Sequence, residues 1–237
     1  MNLLLMSNSS NAGSGYLAHA WDAVREALGG ATRLVFVPYA LADRDAYTAT
    51  ARTAFAAQGV TVTGAHESGD PVAAVRDAEA VFVGGGNTFR LLKTVRELGL
   101  IEALRAHAAA GRPYLGASAG TNLAAATIRT TNDMPIVEPG SFDALGLVPF
   151  QINAHYLDAD PTSTHAGETR AQRLAEFHEE NDTPVLALRE GAWLRVRDGR
   201  RTIGGTAVTP GRGPAVLFRR GAEAVEIDGD VTELLPA

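Results

Sequence analysis

The 237-residue sequence contains no cysteine and almost no lysine. The absence of cysteine excludes disulfides, thiolate nucleophiles and thiolate metal ligands, but it indicates nothing about the redox compartment. Lys93 is the one lysine among 21 basic residues. Because arginine is the usual basic residue of this chain, any single arginine is weak evidence of a binding site.

Long apolar runs and excess positive charge are also lacking. No apolar stretch approaches the roughly 18 residues of a membrane-spanning helix. The net charge of −6 disfavours nucleic acid and anionic membranes as partners. The segment MNLLLMSNSS has no positively charged region and is typical of a first strand rather than a signal peptide. These features predict a cytoplasmic protein.

The first half of the chain alternates short apolar runs with amphipathic stretches. The runs predict strands over 3–6, 34–40, 60–63, 80–86 and 113–118. Helices are predicted over 14–28, from the cap Asp43 to 58, and in two segments that end at 98 and near 110. This order predicts an α/β fold with a mostly parallel sheet and helices on both faces.

The second half of the chain is less regular. It predicts a helix over 169–180, strands over 185–190 and 192–198, and two further strands at AVLFRR and AVEI. We expect these C-terminal strands to extend the sheet in antiparallel fashion. No repeat or linker divides the sequence, so a single domain over 1–237 is expected.

A serine stands in the turn that follows the strand PYLGAS. Gly116–Gly120, GASAG, fits the G-x-S-x-G pattern, in which a nucleophilic serine sits on a strained turn between small neighbours. The alternative is that Ser118 only caps the following helix.

A nucleophilic serine needs a base and an acid that orients it. His155 is predicted to lie just past a strand end, in a polar loop, which favours it as the base over the alternatives His165 and His66. Asp133, in a loop, and Glu190, at the end of a strand, are both candidates for the acid.

A second glycine turn, Gly84–Gly86, also links a strand to a helix. A dinucleotide site is disfavoured because Phe89 stands where that motif needs glycine. The turn could instead direct the backbone amide of Gly85 or Gly86, beside that of Ala119, at a developing negative charge. The remaining alternative is a tight turn without a ligand.

Several of these segments together resemble a known family. VGGGNTFRLLK, GASAGTNLA, TIRTTNDMPI, NAHYLD and ALREGAWL, in this order, resemble the α-aspartyl dipeptidases of the peptidase E family, serine peptidases related to cyanophycinase. The resemblance implies a flavodoxin-like layered sheet, similar to class I glutamine amidotransferase domains. It also implies cleavage of Asp-Xaa dipeptides with no metal or other cofactor.

The resemblance assigns roles residue by residue. Ser118 would be the nucleophile and His155 the base, with Gly86 and Ala119 as the oxyanion donors.

The resemblance leaves the acid open between Asp133 and Glu190. We favour Glu190, because a strand end holds it rigidly, and we expect Asp133 to serve the substrate instead.

The substrate, a small peptide, has two charged groups to be recognised. Its side-chain carboxylate needs a cation, best an arginine, and Arg129, Arg170 and Arg173 lie in or beside matching segments. Its free amine needs an acceptor. The candidates are Asn87, Thr88, Asp133, Asp158 and Asp160.

Three other functions are considered. A related peptidase for Asn-Xaa, β-aspartyl or cyanophycin-type bonds would share the triad and differ in the side-chain pocket. A non-catalytic anion-binding domain is disfavoured by the joint presence of Ser118, His155 and both acids. An esterase of the α/β-hydrolase type is disfavoured because Asp133 and His155 follow Ser118 too soon. The sequence leaves open whether the protein is a monomer or a homodimer.

Overall fold

The computed structural model describes residues 1–160, 162, 164, 167–209 and 211–236. The strands are β1 (Asn2–Met6), β2 (Arg33–Val37), β3 (Thr61–Gly64), β4 (Ala80–Val83), β5 (Pro113–Ala117), β6 (Gln151–Tyr156), β7 (Val185–Arg189), β8 (Ala192–Arg197), β9 (Arg200–Gly205), β10 (Ala215–Phe218), β11 (Val225–Ile227) and β12 (Gly229–Asp230). The helices are α1 (Trp21–Leu28), α2 (Arg44–Ala56), α3 (Pro71–Asp77), α4 (Thr88–Glu97), α5 (Leu100–Ala109), α6 (Ala119–Ala124) and α7 (Arg170–Glu180).

The larger sheet has eight strands in the order β12-β9-β8-β1-β5-β4-β2-β3. The strands from β1 to β3 in this order are parallel, and β8, β9 and β12 extend the sheet in antiparallel fashion. Alternate residues of β1 enter two cores: Leu3 and Leu5 pack with α4, α5 and α6, and Leu4 and Met6 pack with α1 and α2. Helices therefore cover both faces, which confirms the predicted fold class.

The carboxyl ends of the central parallel strands meet at one edge of this sheet. Met6 of β1 pairs with Ala117 of β5, and Gly116 of β5 pairs with Val83 of β4. The serine turn and the glycine turn follow these strand ends directly. Side chains at such an edge can converge on a ligand.

A smaller sheet has the order β11-β10-β7-β6. The expectation that all the C-terminal strands extend one sheet is therefore wrong for β7, β10 and β11. All residues of β7 are buried. A largely apolar run predicts a strand that is covered on both faces, but it does not show with which strand that strand pairs. The chain crosses from the smaller sheet to the larger one between β7 and β8.

The predicted first helix is shorter in the structure. It begins at Trp21 rather than at residue 14, because Leu17 has φ 57°, in a left-handed region that an α-helix cannot contain. The short helix α3 and the strand β9 were not predicted. Among the residues that the structure describes, no helix is both long and apolar enough to cross a membrane.

Candidate active site

Ser118 occupies the sharp turn between β5 and α6. Its backbone has φ 52° and ψ −109°, a strained conformation for any residue with a side chain. A Cβ atom on Gly120 would lie 2.1 Å from the carbonyl oxygen of Val83, so the turn requires a glycine there. Within the described structure the Ser118 side chain makes no capping hydrogen bond to α6. The hydroxyl instead lies 2.8 Å from Nε2 of His155.

His155 is the next-to-last residue of β6, and not a loop residue beyond the strand as the sequence suggested. Its φ of 55° coincides with an irregularity in the pairing of β6 with β7, between Asn153 and Tyr156. Its backbone amide donates to Oγ of Ser7, at 2.9 Å. This local distortion gives the half-buried His155 a backbone conformation that a regular strand does not provide.

Glu190 directly follows β7 and completes a chain of three side chains. Its Oε1 lies 2.9 Å from Nδ1 of His155. An ionised carboxylate can only accept, so Nδ1 carries the proton and donates a hydrogen bond to Glu190. Nε2 of the neutral ring is then the acceptor for the Ser118 hydroxyl. This is the hydrogen-bond order that a serine nucleophile, a general base and an orienting acid require.

Asp133 has different partners. Its Oδ2 accepts from the backbone amide of Thr88 at 2.7 Å, from the hydroxyl of Thr88 at 2.5 Å and from the hydroxyl of Thr131 at 3.1 Å. Within the described residues no hydrogen bond joins Asp133 to His155. Asp133 nevertheless lines the same cleft as Ser118.

The other candidate bases lie elsewhere. His66 pairs with Asp45, with 2.9 Å between Nε2 and the carboxylate oxygen. His165 lies outside the described residues.

The backbone amides near Ser118 were the predicted oxyanion donors. Gly85 donates its amide to the hydroxyl of Tyr47, at 2.7 Å, and so is already engaged. Gly86 and Ala119 donate to no acceptor among the described residues. Their amides therefore remain available to a ligand.

A cleft of about 460 Å³ opens beside Ser118 and Gly86, whereas Ala119 and Glu190 are not part of its described lining. The sequence analysis did not select several residues that line this cleft. The run SNSS follows β1 at the same edge of the sheet, and this position could have indicated that it lines the cleft. Tyr47 lies in a helix and carries no such signal. The lining residues are Asn8, Ser9, Ser10, Leu41, Tyr47, Gly85, Gly86, Ser118, Asp133 and His155.

The three candidate arginines differ in their surroundings. Arg129 is exposed and stacks on the ring of Phe142, 4.9 Å from its centroid, and neither residue is among the described lining of the cleft. Arg173 is exposed and lies 3.7 Å from a carboxylate oxygen of Glu168. Arg170 is partly buried at the first position of α7.

The pKa of Arg170 is lower than the ordinary value of arginine. Burial and the neighbouring Arg173 lower its pKa, whereas the carboxylate of Asp133 raises it. Within the described part of the chain, Arg170 forms no ion pair.

The candidate acceptors for the substrate amine are mostly engaged in the structure. Asn87 caps α4 through Oδ1 and donates to the carbonyl oxygen of Met134. Asp158 pairs with Arg189, and Asp160 binds Thr162.

The described residues hold no cluster of three His, Cys, Asp or Glu suited to a metal ion.

The Ser118–His155–Glu190 chain has the hydrogen-bond order found in serine hydrolases. The sequence profile of peptidase family S51 matches residues 3–204, and the chain belongs to this family. A peptidase E from Streptomyces coelicolor is 60% identical over 99% of this chain and 95% of its own length. A probable alpha-aspartyl dipeptidase from Drosophila melanogaster is 46% identical over 99% of this chain and 94% of its own length.

Solved structures share the fold. The crystal structure of a peptidase from an acI-B1 actinobacterium has a TM-score of 0.65 at 15% identity, and covers 95% of this chain and 96% of its own. A structure from Listeria monocytogenes has a TM-score of 0.66 at 22% identity, and covers 87% of this chain and 98% of its own.

Proposed function

We propose that this S51 peptidase is a serine-type α-aspartyl dipeptidase that hydrolyses Asp-Xaa through an acyl-enzyme. The observation that carries the proposal is the hydrogen-bonded chain from the hydroxyl of Ser118 through His155 to Glu190. The names of the two relatives, peptidase E and probable alpha-aspartyl dipeptidase, support the substrate class.

Acylation begins at the hydroxyl of Ser118. Its oxygen attacks the aspartyl carbonyl carbon while Nε2 of His155 takes the proton, and Glu190 stabilises the resulting imidazolium. The amides of Gly86 and Ala119 donate to the oxyanion of the tetrahedral intermediate. The C–N bond then breaks, and His155 gives its proton to the departing amine.

Deacylation repeats these steps with water. His155 takes a proton from the water that attacks the aspartyl ester, and the ester bond to Ser118 breaks. The proton returns to the serine oxygen, and free aspartate leaves.

Two charged residues suit the two charged groups of the substrate. Arg170 is assigned to the side-chain carboxylate, since it is the candidate arginine that is partly buried and whose pKa is raised by the carboxylate of Asp133, a residue of the cleft. Asp133 is assigned to the free amine. Its Oδ2 is held by Thr88 and Thr131, whereas its Oδ1 accepts from no described residue and can face the cleft.

A dipeptide panel tests the proposal with the purified protein, with and without EDTA. It contains Asp-Leu, Asn-Leu, Glu-Leu, β-Asp-Leu, Ala-Leu and a longer peptide that begins with aspartate. We expect cleavage of Asp-Leu alone, unchanged by EDTA and abolished in Ser118→Ala.

Other outcomes would overturn parts of the proposal. Cleavage of Asn-Leu or β-Asp-Leu in place of Asp-Leu would contradict the assigned pocket and keep the triad. No cleavage by a folded protein, or full activity of Ser118→Ala, would contradict the proposed reaction. A cytoplasmic location remains a prediction, which cell fractionation would test.

A further inference from the structure

Three backbone amides of the glycine turn after β4 donate hydrogen bonds to the rest of the protein. The amide of Gly84 donates to the carbonyl oxygen of Val37 at 3.1 Å, and the amide of Asn87 donates to that of Ala40 at 3.0 Å. The amide of Gly85, between them, donates to the hydroxyl of Tyr47 at 2.7 Å. Of these hydrogen bonds, the one to Tyr47 alone is accepted by a side chain, and it is buried.

These bonds single out one amide of the turn. Among four consecutive residues, Gly84, Gly85 and Asn87 donate to the protein, whereas Gly86 donates to no described acceptor. The turn also packs on the serine, since a Cβ atom on Gly85 would lie 3.0 Å from Cβ of Ser118 and 3.6 Å from its Oγ. A rotation of the peptide units in this turn would therefore change the direction in which the N–H group of Gly86 points.

Tyr47 fits closely against this turn. It belongs to α2 and packs edge-on against Phe36, with the ring centroids 4.9 Å apart. A Cβ atom on Gly84 would lie 2.6 Å from the Tyr47 hydroxyl, so the phenol can approach the backbone only beside a glycine. Burial raises the pKa of Tyr47, so the phenol stays neutral near pH 7.

We propose that Tyr47 is a positioning residue of the reaction: its hydroxyl fixes the Gly85 amide and thereby aims the Gly86 amide at the oxyanion. The inference rests on the proposed acyl transfer. It predicts a contribution that grows as negative charge develops on the carbonyl oxygen, because a preorganised donor acts mainly on the transition state.

The test compares two variants that each lose one hydroxyl. Tyr47→Phe removes the acceptor for Gly85 and keeps the ring that packs on Phe36. Tyr16→Phe is the matched control, because its hydroxyl donates to that of Tyr47 at 3.5 Å and forms no hydrogen bond to the turn in the described structure, so this variant keeps the acceptor for Gly85. Both are assayed for Asp-Leu cleavage and for thermal unfolding beside wild type and Ser118→Ala.

We expect Tyr47→Phe to lower kcat by about tenfold to a hundredfold, with KM within about twofold of wild type. Affinity for a boronic acid analogue of aspartate, which mimics the tetrahedral oxyanion, should fall by a similar factor. Affinity for the product aspartate should not change, and Tyr16→Phe should match wild type in all assays.

Three results would overturn the inference. The first is a wild-type kcat in Tyr47→Phe. The second is an equal loss of affinity for aspartate and for the boronic acid. The third is a loss of activity that follows thermal unfolding and disappears at low temperature. If wild type cleaves no dipeptide, the proposed function fails and this inference fails with it, whereas an active wild type with an unimpaired Tyr47→Phe refutes the inference alone.

Discussion

At the scale of single residues, the candidate active site depends on two unusual backbones. Ser118 and His155 both have positive φ, at 52° and 55°, although neither is glycine. Such conformations cost free energy and persist where the surrounding structure enforces them. Here the two strained residues are hydrogen-bonded to each other, so the strain lies at the residues to which the proposed reaction assigns the nucleophile and the base.

Neutralising Glu190 and neutralising Asp133 are predicted to change different kinetic parameters. Glu190→Gln should lower kcat by at least about a hundredfold, because the ring of His155 loses the carboxylate that orients and stabilises it. Asp133→Asn should mainly raise KM, because Asp133 lies in the cleft without contacting His155 in the described structure. Steady-state kinetics on Asp-Leu separates these effects, and the opposite pattern would assign the acid role to Asp133.

Arg170 is predicted to recognise the aspartyl side chain. Arg170→Met should raise KM for Asp-Leu by at least about tenfold, since a hydrogen bond between charged groups is lost. Arg129→Met is the matched control and should leave KM unchanged, because Arg129 stacks on Phe142 instead. If Arg129→Met alone weakened binding, the assignment would be reversed.

The sequence selected Ser118 and His155, which lie in hydrogen-bond contact in the structure, but it did not indicate the residues that position them. The pattern around Ser118 and the resemblance of the segment at His155 were sufficient to select both. The choice between Asp133 and Glu190 stayed open, because position in the chain does not show which carboxylate reaches the imidazole. Tyr47 was missed because its role depends on a contact between α2 and a distant turn.

At the scale of elements, His155 lies in β6 and Glu190 directly follows β7, and Ser7 contacts both strands. The buried hydroxyl of Ser7 accepts from the amide of His155 and donates to the carbonyl oxygen of Leu188, both at 2.9 Å. Leu188 stands two positions before Glu190. Ser7 therefore links the end of β1 to both strands of the smaller sheet.

Ser7→Ala is predicted to disturb the relation between His155 and Glu190. The variant leaves a buried amide and a buried carbonyl without their partner, which should cost about 1–3 kcal/mol of stability. We also expect kcat for Asp-Leu to fall by about tenfold, since the backbone of His155 loses its anchor. Thermal unfolding and kinetics on one preparation measure both effects, and unchanged kcat in a destabilised variant would limit Ser7 to a structural role.

The sequence predicted elements well where burial alone determines them. The runs that became β1, β2, β4 and β5 are apolar because helices cover both faces of the sheet. The sequence did not predict the smaller sheet, because the pairing of β7 with β6 and β10 is set by tertiary packing. It also overextended α1, because nothing in the local pattern shows the left-handed conformation of Leu17.

At the scale of the whole molecule, Arg189 joins the smaller sheet to the loop after β6. Its side chain is 1% exposed, and the guanidinium binds the carboxylates of Asp158 and Glu226, each at 2.7 Å, and the carbonyl oxygen of Gly213 at 2.7 Å. The hydrogen bonds from Arg189 lower the pKa of Asp158. The network thus stabilises the fold most where Asp158 is ionised.

Asp158→Asn is predicted to destabilise the protein in a pH-dependent way. Because the folded-state pKa of Asp158 is lowered, its stabilisation is complete above the ordinary carboxyl pKa of about 4 and is lost as pH falls through the folded-state value. Urea unfolding should show wild type more stable at pH 7 by roughly 1–3 kcal/mol, and a smaller difference at pH 3. The control Asp160→Asn, which removes an exposed carboxylate, should change little, and a difference for Asp158→Asn that is independent of pH would contradict the assignment.

The central claim is that Ser118 carries an aspartyl ester during turnover, and partitioning between water and hydroxylamine tests it most directly. Asp-Leu and Asp-Phe are cleaved in the presence of hydroxylamine, and aspartyl hydroxamate and free aspartate are measured. We expect the same product ratio from both substrates, because both form the same acyl-enzyme, and we expect neither product with Ser118→Ala. A ratio that depends on the leaving residue, or product formation by Ser118→Ala, would rule out an acyl-enzyme at Ser118.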